Sequence, residues 1–384
     1  MGGGGYGGYN AGSGSASGNK VIFTNGTSEG SIRGGQTRNG NVTNNSVQIS
    51  GGAVYSVCGG YAGNTGGDAF QNKVSISGSG INASGTIYGG FANNGIAYEN
   101  EVSIDDSGGT LAGDLIGGYS MTSDATKNKV IFKNGISKGQ IIGGKTGHET
   151  SADRNSVEIS GGTIQSDVYG GFNDGSGSAN NNTVTISGNP GFDNNVSVYG
   201  GSSAGGEANN NTVNLLTSVT LYQLVGGLGS SSSTGNTLNI AAKDSTVNSL
   251  SGFQNLNFFL PADIAANDTM LTVSNATVSG ATVGVLAQGT LSNLSTGETV
   301  NLLTASQLEG TITPGTITTT VPTGITTVDT YNFSINQTAN AITAKLDSIK
   351  SDSGSGDSGS GGSGSGDSGS GDSGSGDSGS GGSG

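Results

Sequence analysis

The segment NSVEISGGTIQSDVYGG, residues 155–171, contains the pattern that decides the fold. After Asn155, the apolar residues Val157 and Ile159 alternate with polar ones, and Val168 stands two positions before a Gly-Gly pair. Alternation with period 2 is typical of a β-strand that buries one face. The pattern returns about every 27 residues along the chain, and a fixed period of this length indicates a repeat architecture.

Two anchors keep the repeat in register. The first anchor is a Gly-Gly pair, which begins at Gly34, Gly59, Gly89, Gly117, Gly143, Gly170, Gly200 and Gly226. The second is an asparagine before the alternating run, at Asn19, Asn45, Asn72, Asn100, Asn128, Asn155, Asn182, Asn211 and Asn236. These anchors predict about nine coils.

The composition alone would favour disorder. The chain has 384 residues, of which 76 are glycine, 31% are hydrophobic and 10% are charged. Such a chain makes no thick core, and one repeat cannot bury enough apolar surface to offset its conformational entropy. Coils stacked by parallel ladders, roughly 4.8 Å apart, would bury these side chains as columns. The sequence therefore predicts an all-β fold, a parallel β-helix or β-solenoid followed by a C-terminal β cap region.

The anchor asparagines and the Gly-Gly pairs each suggest a structural role. Stacked asparagines could hydrogen-bond along the axis as a ladder; alternatively, asparagine starts each strand because it tolerates turn geometry and bonds its own backbone. For the glycines, Gly200 and Gly201 are expected to let the chain turn tightly out of its strand with positive φ. Val198 should then point into the core and Tyr199 outward. Cys58 is an ordinary occupant of the same variable position as Tyr199.

Changes of pattern divide the chain into four parts. Residues 1–18 are predicted to form a partial N-terminal coil, and residues 19–242 the β-solenoid repeats. The Gly-Gly period ends near 243, so residues 243–350 are expected to form a better-filled C-terminal cap or continuation of the solenoid. Residues 351–384 contain only Ser, Gly and Asp and are predicted to be a flexible linker.

Several segments resemble the passenger region of bacterial autotransporters, the type V secretion family. These are "NSVEISGGTIQSDVYGG", "GFQNLNFFLPADIAANDTMLTVSNATVSGATVGV" and the hairpin "YNFSINQTANAITAKL". The resemblance implies an adhesin-like β-helical passenger, secreted or displayed on the bacterial cell surface and anchored in the outer membrane by a C-terminal barrel. The start "MGGGGYGGYNAG" lacks the pattern of a signal peptide, and no barrel pattern follows, so the chain is expected to be an excised passenger.

Catalysis is not expected. Asp105–Asp106 and the region of His148 are similar to short stretches of polygalacturonases, which makes a polysaccharide-degrading enzyme a remote alternative. The expected basic partners for a substrate carboxylate are missing, and one histidine supports neither a credible triad nor a metal cluster. We expect the two aspartates to lie in a turn and His148 in an exposed loop. No catalytic residue, metal or cofactor is predicted.

The expected activity is adhesion or self-association. A net charge of −14 disfavours nucleic acid, and membrane contact is expected only through the missing barrel. Tyr61, Phe70, Phe91 and Tyr98 could bind a host glycan, a surface or matrix protein, or a second copy of the rod. Alternatively, aromatics that directly follow Gly-Gly pack over the strand edge, and the repeat serves only as a scaffold or stalk.

Overall fold

The chain folds as a parallel β-solenoid. The computed structural model describes residues 5–64, 66–230, 233–324 and 327–353, and within these ranges the chain forms strands and no helix. The solenoid has about 11 turns with a spacing of about 27 residues. The all-β solenoid prediction is therefore confirmed. Residues 354–384, most of the predicted linker, lie outside the described residues.

Three sheets run along the axis, and their strands are numbered in chain order. Sheet A contains β1 (Tyr6–Asn10), β5 (Ile32–Thr37), β9 (Val57–Ala62), β13 (Ile87–Ala92), β16 (Leu115–Ser120), β19 (Ile141–Thr146), β22 (Val168–Asn173), β25 (Ser197–Ser203), β27 (Thr220–Leu228), β29 (Ser245–Ser251), β31 (Thr269–Thr277), β33 (Thr299–Glu309), β35 (Thr318–Pro322), β36 (Thr327–Gln337) and β37 (Ala341–Ser353). Sheet B contains β2 (Ala16–Ser17), β6 (Val42–Thr43), β10 (Ala69–Phe70), β14 (Ala97–Tyr98) and β17 (Ala125–Thr126).

Sheet C carries two short strands in most of the early turns. Its members are β3 (Lys20–Phe23), β4 (Thr27–Ser28), β7 (Ser46–Ile49), β8 (Ala53–Val54), β11 (Lys73–Ser79), β12 (Asn82–Ala83), β15 (Glu101–Leu111), β18 (Lys129–Ser137), β20 (Ser156–Ile159), β21 (Thr163–Ile164), β23 (Thr183–Ile186), β24 (Gly191–Phe192), β26 (Thr212–Leu215), β28 (Thr237–Ile240), β30 (Asn255–Leu260), β32 (Thr282–Ala287) and β34 (Thr313–Pro314).

The count of about nine coils was too low, because the parallel stack continues after the Gly-Gly pairs end. Leu224 pairs with Leu250, and Leu250 pairs in turn with Ala276 on β31. Ala276 then pairs with Leu308, which is 32 residues further along the chain. The added turns keep the backbone register but carry neither anchor, and their spacing on sheet A grows from 26 residues between Leu250 and Ala276 to 32 between Ala276 and Leu308.

The core consists of the predicted inward aliphatics. Val157, Ile159, Val168 and Val198 are all fully buried, and their equivalents from other turns join them in one continuous cluster along the rod. Each turn alone has only a few such side chains. Stacking therefore supplies the core, as in other repeat proteins.

The anchor asparagines form a buried ladder, so the first of their two interpretations is confirmed. The backbone N–H and the side-chain Nδ2 of Asn128 both donate to Oδ1 of Asn155, at 2.9 and 3.1 Å. Nδ2 of Asn128 also donates to the carbonyl of Ala97 at 2.8 Å. The same pairing repeats from Asn19 to Asn236, where the backbone N–H donates to Oε1 of Gln254 at 2.9 Å.

The prediction that the chain turns with positive φ at Gly200 and Gly201 was wrong. Gly200 and Gly201 lie inside β25 and are not among the residues with positive φ. A Cβ on Gly200 would lie 2.5 Å from the carbonyl oxygen of Gly226 in the next turn, and one on Gly201 would lie 2.6 Å from Nδ2 of Asn211. Close approach of neighbouring backbones, not a left-handed conformation, is what excludes side chains here.

Left-handed residues instead precede the anchor asparagines. Their φ lies between 54° and 72°, and most of them are not glycine: Gly18, Asn44, Gln71, Glu99, Lys127, Arg154, Asn181, Asn210 and Gly235. This conformation is uncommon for residues with a side chain. The turn that the sequence pattern assigned to the glycines thus occurs at the other anchor.

An antiparallel hairpin closes the C-terminal end of the stack. β37 pairs antiparallel with β33 on one side and with β36 on the other. Tyr331, Phe333 and Leu346 of this hairpin are buried against the last turns. The hairpin therefore covers an edge and a core that would otherwise be open.

Candidate functional site

The outer face of sheet A carries the largest group of ring contacts. Outward side chains directly before and after each Gly-Gly pair lie over their equivalents in the next turn, because the parallel strands are in register. We call the resulting group the aromatic stripe. It consists of Arg33, Tyr61, Tyr88, Phe91, Tyr119, Lys145, Tyr169, Phe172 and Tyr199.

The rings form two clusters. In the first, Tyr61 and Phe91 stack with centroids 4.8 Å apart, and Phe91 meets Tyr119 edge-on at 5.3 Å. In the second, Tyr169 stacks on Tyr199 at 4.8 Å. Stacked and edge-to-face pairs in this range are favourable beyond the area that they bury. The stripe is therefore an ordered surface.

Two cations extend and connect these clusters. The guanidinium carbon of Arg33 lies 4.1 Å from the ring centroid of Tyr61. Nζ of Lys145 lies 5.2 Å from the centroid of Phe172 and 5.8 Å from that of Tyr119, between the clusters. Such cation–π contacts attract a charge to the ring face. The stripe thus combines aromatic area with positive charge on an acidic protein.

The four predicted binding residues fall into two separate pairs. Tyr61 and Phe91 belong to the aromatic stripe, whereas Phe70 and Tyr98 stack on sheet B with centroids 5.0 Å apart. All four are half-buried. The ring of Tyr61 lies against Phe91 and Arg33 of the two neighbouring turns, so these outward side chains pack from turn to turn, across the strands.

Sequence reasoning missed the continuity of the stripe. The sequence singled out Tyr61 and Phe91 as binding residues and placed Tyr199 on the outside of its strand, but it did not connect them through Tyr88, Tyr119 and Lys145. The signal was available: aligning the positions on either side of each Gly-Gly pair places these residues in two adjacent columns.

Four tyrosine hydroxyls of the stripe, those of Tyr88, Tyr119, Tyr169 and Tyr199, stay protonated at neutral pH. Burial raises the pKa of Tyr88 to about 12 and raises the pKa of Tyr119, Tyr169 and Tyr199 above the usual value. A protonated phenol both donates and accepts hydrogen bonds. Tyr199, for example, donates to Oε1 of Gln223 at 3.1 Å. The stripe therefore presents neutral polar groups beside its rings.

Cys58 lies beneath the N-terminal part of the stripe. It is 3% exposed, and its Sγ donates to the carbonyl of Gly60 at 3.1 Å. Burial raises the pKa of its thiol to about 12, so it is held as an unreactive thiol.

Asp105, Asp106 and His148, the residues of the remote enzymatic alternative, do not lie in one cluster. His148 is exposed in a bend, as expected. Asp105 and Asp106 do not lie in a turn; they lie inside β15, where a register shift against β18 accommodates them. Asp106 is fully buried, and its Oδ2 accepts from the backbone N–H of Ile81 at 2.9 Å, while Asp105 is exposed. The two carboxylates therefore face opposite sides of the sheet.

Neither a metal-binding cluster nor a helix that could span a membrane occurs within the described ranges. In that part of the chain no three His, Cys, Asp or Glu side chains are grouped so that they could hold a metal ion. The same residues include no helix with the length and apolarity needed to cross a membrane.

Comparison with known proteins gives no match. No protein-family model matches the chain, and neither a curated protein nor a solved structure shows significant similarity to it.

Proposed function

We propose that this chain is an adhesive β-solenoid, the passenger of a bacterial autotransporter displayed on the cell surface, and that it binds its partner through the aromatic stripe. The partner classes are a host glycan, a surface or matrix protein, or a second copy of the rod. The observation that carries the proposal is the unbroken series of ring and cation contacts from Arg33 to Tyr199.

The dimensions of the stripe support a binding role. It follows seven successive strands of sheet A, from β5 to β25. At a strand spacing of about 4.8 Å, its length is on the order of 30 Å, which is enough for an extended glycan or one face of a protein. Tyrosine offers a large amphipathic contact area at a low cost in side-chain entropy.

The fold class and the resemblance of the repeats support the surface location. In-register stacking of the turns holds the stripe on one face of sheet A, and the net charge of −14 favours solubility between binding events. Both features also suit the alternative, in which the rod is a scaffold that binds nothing itself. The two functions differ in whether the stripe is needed.

The test replaces outward residues of the stripe. Cells that display the chain would be compared with cells that display the triple variant Tyr88→Ser, Tyr119→Ser, Lys145→Ser, in settling assays and on panels of glycans and matrix proteins. The control triple Ile22→Ser, Lys129→Ser, Ile131→Ser removes outward residues of sheet C instead.

We expect the stripe variant to lose binding or clumping and the control to retain it. If the stripe variant binds or clumps as well as the control variant does, adhesion depends on residues outside the aromatic stripe. If even the unmodified rod binds nothing on the panels and stays monomeric at high concentration, the scaffold function is the correct one.

A further inference from the structure

Two Asn-Gly pairs occupy equivalent positions in a duplicated segment of the chain. The sequence NKVIFTNG at 19–26 returns as NKVIFKNG at 128–135. In both copies the glycine N–H donates to Oδ1 of the preceding asparagine, at 2.8 Å for Asn25 and 3.0 Å for Asn134. Both glycines also have positive φ, 100° and 110°. The backbone nitrogen thus lies beside the side-chain amide in each copy.

The two copies differ in their surroundings. Asn25 lies in the bend between β3 and β4, both Asn25 and Gly26 are exposed, and a Cβ on Gly26 would meet open space. Asn134 lies inside β18 and pairs with Asp105, and Gly135 is buried. The same dipeptide therefore lies outside the strand pairing at one position and inside it at the other.

We propose that Asn25 is a site of spontaneous deamidation and that the solenoid protects Asn134 from the same reaction. The backbone nitrogen of Gly26 loses its proton to water or hydroxide and attacks Cγ of Asn25. A C–N bond forms, the bond from Cγ to Nδ2 breaks, and ammonia leaves with a proton from solvent. Water then opens the five-membered succinimide and restores an open chain.

The direction of ring opening decides the product. Attack of water at Cγ gives aspartate, and attack at the backbone carbonyl carbon gives isoaspartate, whose main chain is longer by one methylene. Either product adds one negative charge. The backbone N–H of Ala53 donates to the carbonyl of Gly26 at 2.8 Å, and Thr27 pairs with Ala53. Isoaspartate at position 25 would displace this carbonyl and loosen the pairing of β4 with β8.

The reaction requires local freedom, because the asparagine must rotate its main chain to let the nitrogen reach Cγ. At Asn134 this rotation requires opening the pairing with β15. An opening cost of only about 1.4 kcal/mol would slow the reaction about tenfold. Asn25 has no strand pairing of its own in the structure and needs no such opening.

The experiment follows both sites in the same intact chain. The folded protein is kept in mildly alkaline buffer, sampled over days and digested with trypsin. Cleavage places Asn25 in the peptide 21–33 and Asn134 in the peptide 134–138, and mass spectrometry gives the fraction converted at each. The reference is the same chain held in guanidinium chloride.

We expect conversion at Asn25 to be at least about tenfold faster than at Asn134 in the folded chain, and the two rates to become similar on unfolding. The variant Lys133→Thr makes the local sequence VIFTNG at both sites and should preserve the difference. The variant Asn25→Gln should abolish conversion at position 25. Equal rates in the folded chain, or a difference that persists in denaturant, would overturn the proposal.

Discussion

At the residue scale, the structure depends on polar side chains that are buried yet fully partnered. Asn128 is fully buried, accepts from Asn100 through Oδ1 and donates to Asn155 and Ala97. Because each turn from Asn19 to Asn236 presents the same groups, the side chain of each asparagine accepts from the asparagine of the preceding turn. Burying a polar side chain costs free energy unless its polar atoms are hydrogen-bonded, and these bonds remove that cost for the asparagines.

The ladder predicts a large cost for removing one member. Asn128→Leu would leave two N–H groups of Asn100 without their acceptor, so we expect the free energy of unfolding to fall by about 2–4 kcal/mol. Asn239→Leu is the control, since Asn239 belongs to a half-buried series on the outer face of sheet C and should cost about 1 kcal/mol or less. Urea unfolding measures both, and similar losses for the two variants would contradict the role of the buried ladder.

Asp106 predicts a specific pH dependence. Its pKa is raised above 3.8, chiefly because burial penalises the charged form, and its Oδ1 has no hydrogen-bond partner among the described residues. The folded state therefore holds the proton more tightly than the unfolded state. The stability that this group contributes is complete below the unfolded pKa and is lost as pH rises through the folded pKa.

Unfolding by urea at a series of pH values measures this effect. Asp106→Asn should remove the part of the decline in stability that begins above the ordinary aspartate pKa. Asp105→Asn, at the exposed neighbouring position, is the matched control for the change from a carboxyl to an amide. A profile that Asp106→Asn does not alter would show that this carboxyl does not titrate differently in the folded state.

At the scale of the strand, the Gly-Gly pairs set how closely the turns approach. A Cβ on Gly200 would lie 2.5 Å from the carbonyl oxygen of Gly226, whereas one on Gly191 of β24 would have its nearest neighbour at 3.8 Å. We therefore expect Gly200→Ala to destabilise the fold by more than about 2 kcal/mol, because the backbone of the next turn would have to move.

Gly191→Ala is a matched control within a strand and should change stability by about 0.5 kcal/mol or less. Thermal or urea unfolding of the two variants gives the comparison. If Gly200→Ala is as well tolerated as Gly191→Ala, close packing at the Gly-Gly pairs is not what the repeat requires.

The strands also show which structural features the sequence could predict and which it could not. Alternation around Val157 and Val198 predicted the buried faces correctly, because side-chain direction in a strand follows from period alone. The conformation of Gly200 was mispredicted, because glycine is compatible with both positive φ and close approach, and sequence does not distinguish them. Likewise, the stripe beyond Tyr61 and Phe91 depends on contacts between turns, which a single repeat does not contain.

At the scale of the whole molecule, each turn touches mainly its neighbours. Sheet A runs in chain order from β1 to β33 and ends on the antiparallel strands of the hairpin. The stability of such a stack is close to a sum of local terms, so damage at one end should remain near that end. The two ends also differ: Val21 and Phe23 in the first turns are only half-buried, whereas Tyr331 and Phe333 in the hairpin are buried.

Phe333→Ala tests this locality. Phe333 is 1% exposed, and truncating a buried phenylalanine typically costs about 3–5 kcal/mol. Amide hydrogen exchange should therefore accelerate in β33, β36 and β37, while exchange in β5 to β16 should stay unchanged, because many intact turns separate them from the lesion. The control Val157→Ala places a cavity in the middle of the stack and should accelerate exchange in β18, β20 and β23 instead. If Phe333→Ala accelerates exchange uniformly along the rod, the solenoid unfolds as one cooperative unit and the nearest-neighbour description fails.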